Sequence, residues 1–257
     1  MIHFHRARRF FLPTSLESFS RSHPELRNWS PDSPSDYCPR CGSSLPSEAH
    51  PPANQPCPHC PDKPYPFTRI IRLAPYNDLF RDLIHTYKYA RHWSLAPFFS
   101  DRLAPRIPTP FDPRRFIITD IPLHPFRRMQ RGFNQSQLIA RNLAKVCNLT
   151  YKPLLKRTRH TPSQTALSPN QRLDNMRSAF KLARHRYDLT GYHILIVDDI
   201  KTTGSTLAAA SRPLLKAGAT LVTAAVITVA DPHKQNFQTY LPKQDQSPQQ
   251  KTVTPKA

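Results

Sequence analysis

Ile194-Leu195-Ile196-Val197-Asp198-Asp199-Ile200-Lys201-Thr202-Thr203-Gly204-Ser205-Thr206 is the stretch that decides how this chain is read. The run from Ile194 to Val197 is short, apolar and mostly β-branched, as in a parallel strand covered on both faces. Asp198 and Asp199 stand at the end of that run. In open α/β sheets ligands bind outside the carboxyl ends of the strands, so the acid pair falls where a ligand would be met. Gly204 lets the backbone approach a ligand and adopt a turn closed to residues with a Cβ. Thr202, Thr203, Ser205 and Thr206 add hydroxyls around it. A helix is predicted from Ser205 to Lys216, stopping before Gly218, with Pro213 as a possible kink inside it. Carboxylates accept hydrogen bonds from sugar hydroxyls, while loop N–H groups and a helix N-terminus hold phosphate. The order of parts therefore predicts a sugar-phosphate pocket, against the plainer reading of an acidic, threonine-rich turn. Lys201 either neutralises charge there or points to solvent. A nucleotide P-loop is excluded by the missing glycine-rich lead-in, and a dinucleotide fingerprint by the absence of G-x-G-x-x-G.

Length and charge set the bounds. A chain of 257 residues holds one moderate α/β domain and a small module. A net charge of +20 and a pI near 10.3 favour anionic partners: phosphates, pyrophosphate, nucleic acid or an acidic membrane surface. The 29 prolines against 5 glycines predict stiff connections and irregular ends. No apolar run approaches the ~20 residues of a membrane span. The basic start, Met1 to Arg9, is not followed by the apolar core of a secretory signal, so a cytoplasmic location is expected.

Cys38-Pro-Arg-Cys41 and Cys57-Pro-His-Cys60 form two C-x-x-C knuckles fifteen residues apart. Each places two thiolates on one tetrahedral ion. Together they make a closed four-thiolate set, which points to structural zinc. Gly42 suits the knuckle turn. A pair of disulfides is the alternative and needs an oxidising compartment. His50 and His59 are competing ligands, but four cysteines suffice. Cys147, in a predicted helix, reads as a small core residue rather than a nucleophile. So small a ribbon has little core, and metal binding would supply most of its folding free energy.

The pattern divides into an irregular basic extension over 1–36, the ribbon over 37–62, an α/β domain over 67–230 and a tail over 231–257 that is expected to be disordered. Strand-like Phe67–Leu73 comes first. A helix capped by Asn77 or Asp78 follows, carrying Leu79, Phe80, Leu83, Ile84 and Tyr87 on one face. A second helix covers Ser94 to Leu103. Phe116–Ile121 reads as a buried strand. Asn134 or Ser136 opens a helix to Val146, with Leu138, Ile139, Leu143 and Val146 inward. Thr220–Val229 is the last strand. Strands alternating with helices predict a parallel sheet.

Two further segments have site chemistry. Beyond the strand at 116–121, Arg127, Arg128 and Arg131 lie close together in sequence, with the geometry to grip a diphosphate by bidentate bonds. A solvated basic loop is the alternative. Gly132 permits a sharp turn, and Asn134 and Gln135 cap the next helix or meet substrate. The segment 155–175 mixes basic residues, hydroxyls and amides around a proline, as in a mobile flap over an anion; Arg157, Gln164 and Arg172 stand out.

The 194–206 stretch resembles the phosphoribosyl pyrophosphate (PRPP) motif of type I phosphoribosyltransferases. The wider order is more specific: a four-cysteine ribbon, Pro-Leu-x-x-x-Arg-x-x-x-Arg-Gly-Phe-Asn-Gln, Thr-Pro-x-Gln-Thr-x-Leu, Arg-x-x-Asn and the PRPP motif. Over about 37–230 the chain resembles the ComF family of phosphoribosyltransferase-like proteins. The resemblance implies a type I phosphoribosyltransferase-like parallel sheet with a zinc ribbon, and PRPP bound with Mg2+. It gives Asp198 and Asp199 the ribose hydroxyls and the metal's waters, and residues Lys201 to Thr206 the 5′-phosphate. It gives Arg127, Arg128 and Arg131 the pyrophosphate, and Arg157, Gln164 and Arg172 a flexible loop. An acceptor would displace pyrophosphate at ribose C1. The alternative is a non-catalytic protein that binds PRPP or single-stranded DNA, with competence-machinery proteins as partners in DNA uptake.

Overall fold

The computed structural model describes residues 24–45, 55–60, 64–89, 92–108, 110, 112–158, 179–184 and 187–230. In chain order the elements are β1 (Arg69–Pro75), α1 (Asp78–Tyr89), α2 (Leu95–Leu103), β2 (Phe116–Asp120), α3 (Pro125–Arg131) and α4 (Gln135–Val146), then β3 (Thr150–Tyr151), β4 (Leu155–Arg157), β5 (Phe180–Leu182), β6 (His193–Lys201), α5 (Ser205–Lys216) and β7 (Leu221–Val229). Among the described residues, five strands form one sheet in the order β1-β7-β6-β2-β3. Every pairing in it is parallel. β4 and β5 form a separate antiparallel pair. The α/β class read from the sequence is the one observed.

β6 is central, and its alternation divides the core. Leu195 and Val197 face a cluster built with Phe80, Leu83, Phe99, Ile139 and Leu143 of α1, α2 and α4. Ile194 and Ile196 face the other cluster, with Leu207, Ala210 and Leu214 of α5. Both faces are covered, which is why the strand reads as a continuous apolar run. Asn77 Oδ1 accepts from the Phe80 N–H at 3.0 Å, so Asn77 caps α1. Phe80, Leu83, Ile84 and Tyr87 are buried as their spacing predicts.

The structure differs from the sequence pattern in four places. β6 does not stop at Val197 but runs to Lys201 alongside β7. What stops is its other neighbour: Asp120, the last residue of β2, pairs with Val197. α4 keeps Ile139 and Leu143 inward as expected, with Leu138 partly buried, but is rotated enough to turn Val146 out. It buries Gln135, Ser136, Ile139, Ala140, Leu143 and Ala144, whereas Val146 is half exposed. The alanines let the helix lie close on the sheet, and this rotation turns its polar first turn toward the end of β6. The segment 125–131, expected as a loop, is a short helix. His124 Nδ1 accepts from the Phe126 N–H, and Gly132 at φ 81° closes its end. Arg157, expected in a flap, is rooted in β4 opposite Phe180.

Part of the irregular extension belongs to the core. Leu26 is buried, and the Trp29 ring lies 5.0 Å from that of Phe80. Asp32 donates its N–H to Leu73 O at 2.7 Å and pairs its carboxylate with Arg72 at 2.7 Å. Arg72, buried on β1, also donates to Gly42 O at 2.6 Å and Ser44 Oγ at 2.9 Å. A charge on a buried strand is tolerable only with such a set of partners. Residues 1–23 and 231–257 lie outside the described residues. No helix among the described residues is long and apolar enough to cross a membrane.

Candidate functional site

The register creates the site. One residue beyond the end of β2, Asp198 of β6 retains a partner on the β7 side, Val226, but β2 no longer accompanies it. Polar side chains gather in the opening. Ser136, at the start of α4, donates its hydroxyl to Asp198 Oδ1 at 2.9 Å, and the Asp199 N–H donates to the same oxygen at 2.9 Å. Lys88, in the last turn of α1, pairs with Asp199 Oδ2 at 3.0 Å. Burial, and then the neighbouring Asp199 charge, push the Asp198 carboxyl up to about 7; the Ser136 hydroxyl, the Asp199 N–H and Lys88 only partly offset them.

A third carboxylate stands beside this pair in the sheet. Asp120 accepts from Tyr151 Oη at 2.7 Å and from Asn134 Nδ2 at 2.8 Å, and burial holds its carboxyl above the ordinary range. Asn134 Nδ2 also donates to Ile121 O at 3.0 Å. Its carboxamide oxygen is buried and meets no donor among the described residues. That is an acceptor with bonding capacity left for a ligand hydroxyl or a water.

The hydroxyl-rich loop lies at the same edge. Gly204 has φ +78° and precedes the first residue of α5. A Cβ there would meet the Tyr65 ring at 2.7 Å, so conformation and space both demand glycine. Thr203 Oγ1 and Ser205 Oγ lie 3.0 Å apart, and Thr202 and Thr203 are exposed at the loop's rim, while Ser205 and Thr206 are partly buried. Of its two expected courses, Lys201 does not take the one to solvent. It is buried, with Nζ donating to Thr202 O at 3.3 Å and lying 5.5 Å from the Tyr65 ring centre.

The arginines surround the opening unequally. Arg131 donates to Gln135 Oε1 and to Tyr89 Oη, each at 3.4 Å, and its guanidinium lies 5.2 Å from the Tyr89 ring centre. Arg128 is exposed and Arg127 partly buried. Burial lowers the Arg157 pKa, the Arg127 charge lowers it further, and Asp198 opposes both, which brings these three charges into one field. Gln164 and Arg172 lie outside the described residues.

The four cysteines converge. Their sulfurs all lie within 4.8 Å of one another, with Cys41–Cys57 at 3.4 Å, Cys38–Cys60 at 3.7 Å and Cys57–Cys60 at 3.8 Å. Sulfurs on a tetrahedral zinc, ~2.3 Å from the ion, stand ~3.8 Å apart, whereas a disulfide requires ~2.0 Å. All four are free thiols. The set fits a closed zinc site. Cys147 is half buried against the core at the end of α4, in keeping with a packing role.

The cluster is docked on the sheet. Pro39 O accepts from the Ile70 N–H of edge strand β1 at 2.8 Å, and a Cβ on Gly42 would stand 2.9 Å from Val229. Tyr65 joins cluster to loop: it packs beside Leu45 and Cys60, stacks on Phe67 at 4.6 Å, and donates its hydroxyl to Thr203 O at 2.8 Å.

Sequence reasoning found the acid pair, the loop and the cysteines but missed Lys88, Tyr65, Asp120 and Tyr151. A lysine in a helix's last turn reads as dipole compensation. Asp120 carried a usable signal, a carboxylate closing a buried strand, the same signature as Asp198.

Two outcomes are expected. The purified protein contains one zinc per chain, and Cys57→Ser releases it and lowers the melting temperature; metal analysis finding no zinc in protein purified under reducing conditions rejects the site. Asp198 binds its proton more tightly folded, near 7, than at its ordinary value of 3.8. Its contribution to stability is therefore full below about pH 4 and lost as pH rises through 7. Asp198→Asn should gain in melting temperature over the wild type between pH 5 and 8, the gap widening with pH; parallel curves would contradict the assignment.

Residues 130–254 match the family model described as the phosphoribosyl transferase domain. The chain is 36% identical over 193 residues to the DNA utilization protein YhgH of Escherichia coli (strain K12), covering 72% of this chain and 80% of that protein. It is 30% identical over 192 residues to competence protein F of Haemophilus influenzae, covering 71% and 80%. Competence protein ComFC of Bacillus subtilis is 25% identical over 143 residues, covering 56% of each. With the parallel sheet, the acid pair and the four-cysteine cluster in place, the chain belongs to the ComF/YhgH family of competence proteins, which carries a phosphoribosyltransferase domain.

Proposed function

We propose that this protein binds PRPP with magnesium and that an acceptor displaces pyrophosphate at ribose C1. One observation carries the reading: a pair of adjacent carboxylates and a glycine-pinned, hydroxyl-lined loop open at the same end of one strand. The loop between Thr202 and Thr206 holds the 5′-phosphate through its N–H groups and the first turn of α5. Asp198 and Asp199 hold the ribose hydroxyls, and the Asn134 carboxamide oxygen accepts from a further hydroxyl or water.

The reaction forms a bond from the acceptor to C1 as the C1–oxygen bond to pyrophosphate breaks. The electron pair leaves with pyrophosphate, and the acceptor loses a proton. Because positive charge develops on the ribose and negative charge on the leaving group, the protein's task is to orient and to stabilise; no covalent nucleophile is needed. Arg127, Arg128 and Arg131 are assigned to the departing pyrophosphate. Magnesium would draw charge from the phosphate oxygens; the carboxyl oxygens of Asp198 and Asp199 are the hard oxygen donors that would hold it or its waters, and Lys88 is the cation now paired to Asp199 among the described residues.

A second reading has its own support. Phe126 and Met129 are exposed on α3, the helix that carries Arg127, Arg128 and Arg131; exposed Tyr89 lies under the Arg131 guanidinium, and the ring of exposed Trp93 lies 6.1 Å from that of Phe133 just beyond α3. Exposed aromatics interleaved with arginines suit single-stranded nucleic acid, whose bases stack while its phosphates pair. The names of the E. coli and Haemophilus relatives point the same way. In this reading the protein acts in DNA uptake, with or without catalysis.

Calorimetric titration is expected to show magnesium-dependent PRPP binding that Asp198→Asn with Asp199→Asn abolishes; unchanged affinity in the double variant rejects the site. A screen for pyrophosphate release across candidate amines and bases then identifies the acceptor. Single-stranded DNA is expected to bind with an affinity that falls steeply with salt, and no binding at low salt removes the second reading.

A further inference from the structure

Lys88 has no part in the motifs that define the site, yet its ammonium reaches into it. Nζ lies 3.0 Å from Asp199 Oδ2, and the two side chains are only 17% and 13% exposed. Withdrawn from water, such a pair is a stronger and more consequential contact than a surface ion pair. The lysine charge also acts on Asp198, opposing the burial and the Asp199 charge that raise that carboxyl.

The base of this side chain is fixed and its tip is not. Lys88 O accepts from Gln135 Nε2 at 3.4 Å, and the preceding Tyr87 donates its hydroxyl to Gln135 O at 2.9 Å. The Tyr87 ring is fully buried, edge-on to Phe99 and Phe133. The end of α1 is thus locked to the start of α4, the same turn that presents Ser136 to Asp198. Beyond that anchor the lysine has a four-carbon stem with freely rotating bonds, able to move its charge by several ångström without moving the helix. The residue after it, Tyr89, contacts Arg131. One helix end therefore spans from the acid pair to the arginines.

Charge arithmetic makes the present partner temporary. A divalent cation drawn to the acid pair repels the ammonium, and a diphosphate entering beside it offers a denser negative charge than one carboxylate. We propose that Lys88 is a ligand-exchange residue of the PRPP site: it neutralises Asp199 in the free protein and transfers to the diphosphate when magnesium and PRPP enter. The inference rests on the PRPP reading of the preceding section. Lys88 then has two roles. It keeps the empty acid pair from repelling itself and from collecting stray divalent cations, and it makes diphosphate binding and cation binding interdependent.

The test compares wild type, Lys88→Met, Lys88→Gln and Lys88→Arg in the full-length protein, with melting curves to confirm folding. Manganese binding without PRPP, followed by water-proton relaxation, should tighten in Lys88→Met and Lys88→Gln, because the competing ammonium is gone. Calorimetry with magnesium pyrophosphate should show affinity weakened roughly tenfold or more in both, the usual worth of a hydrogen bond to a charged group. Lys88→Arg should restore much of the pyrophosphate affinity. A merely structural lysine would not move the two affinities in opposite directions. Unchanged pyrophosphate affinity in Lys88→Met and Lys88→Gln, or weakened binding of both ligands, overturns the exchange while wild-type PRPP binding leaves the functional reading standing. A wild type that binds no PRPP overturns both.

Discussion

Two carboxylates cannot sit side by side near the middle of a sheet unless something accepts their charge, and much of this molecule is arranged around that requirement. Asp198 and Asp199 follow four residues with no contact with water. β2 ends one pairing short of them, which opens one flank of β6. Ser136 and the Asp199 N–H share one oxygen of Asp198, and Lys88 takes one of Asp199. The polar first turn of α4 can reach this place because Ala140 and Ala144 let the helix lie close against the sheet. The cost of holding charge in low dielectric is thus distributed over α1, α4 and two strands, and each is aimed by its own hydrophobic face.

What could be read in the chain was what local order dictates. The 194–206 stretch holds strand, acids, glycine and helix start within thirteen consecutive residues, and the fold keeps them in that order. The two knuckles are equally legible, because two C-x-x-C pairs at this spacing supply four sulfurs to one tetrahedral point. What could not be read depended on partners distant in sequence. Lys88 meets Asp199 across more than a hundred residues. Tyr65 falls between the two units that the pattern marks out, 37–62 and 67–230, and its role appears only when Gly204 is folded beneath its ring. The apolar pattern of α4 points Val146 inward and says nothing of Gln135 and Ser136, yet it is the polar pair that is buried and Val146 that is half exposed. The opening beside β6 overrode that pattern by giving the polar pair partners.

The edge of the sheet raises a separate physical problem. β1 is an outer strand, and an outer strand presents unpaired N–H and C=O groups that invite association with another chain. Here the cysteine knuckle and the segment before it occupy that edge. Pro39 accepts the Ile70 N–H, Asp32 donates to Leu73 O, and Arg72 sends its guanidinium to Gly42, Ser44 and Asp32. The four-cysteine module therefore covers the β1 edge of the sheet.

That arrangement has a consequence for how the molecule comes apart. A small cysteine module is commonly pictured as a detachable bead on a string, yet this one shares its walls with its neighbour: Gly42 rests on Val229 and Ile70, and Tyr65 leans on the cysteines while its hydroxyl grips the Thr203 carbonyl. Disrupting the four-cysteine cluster would loosen the floor of the sheet's border and the roof of the loop between Thr202 and Thr206 together. Trimming the chain back to residue 67 would therefore strip the partners of the Ile70 N–H and the Leu73 carbonyl and leave a ragged outer strand.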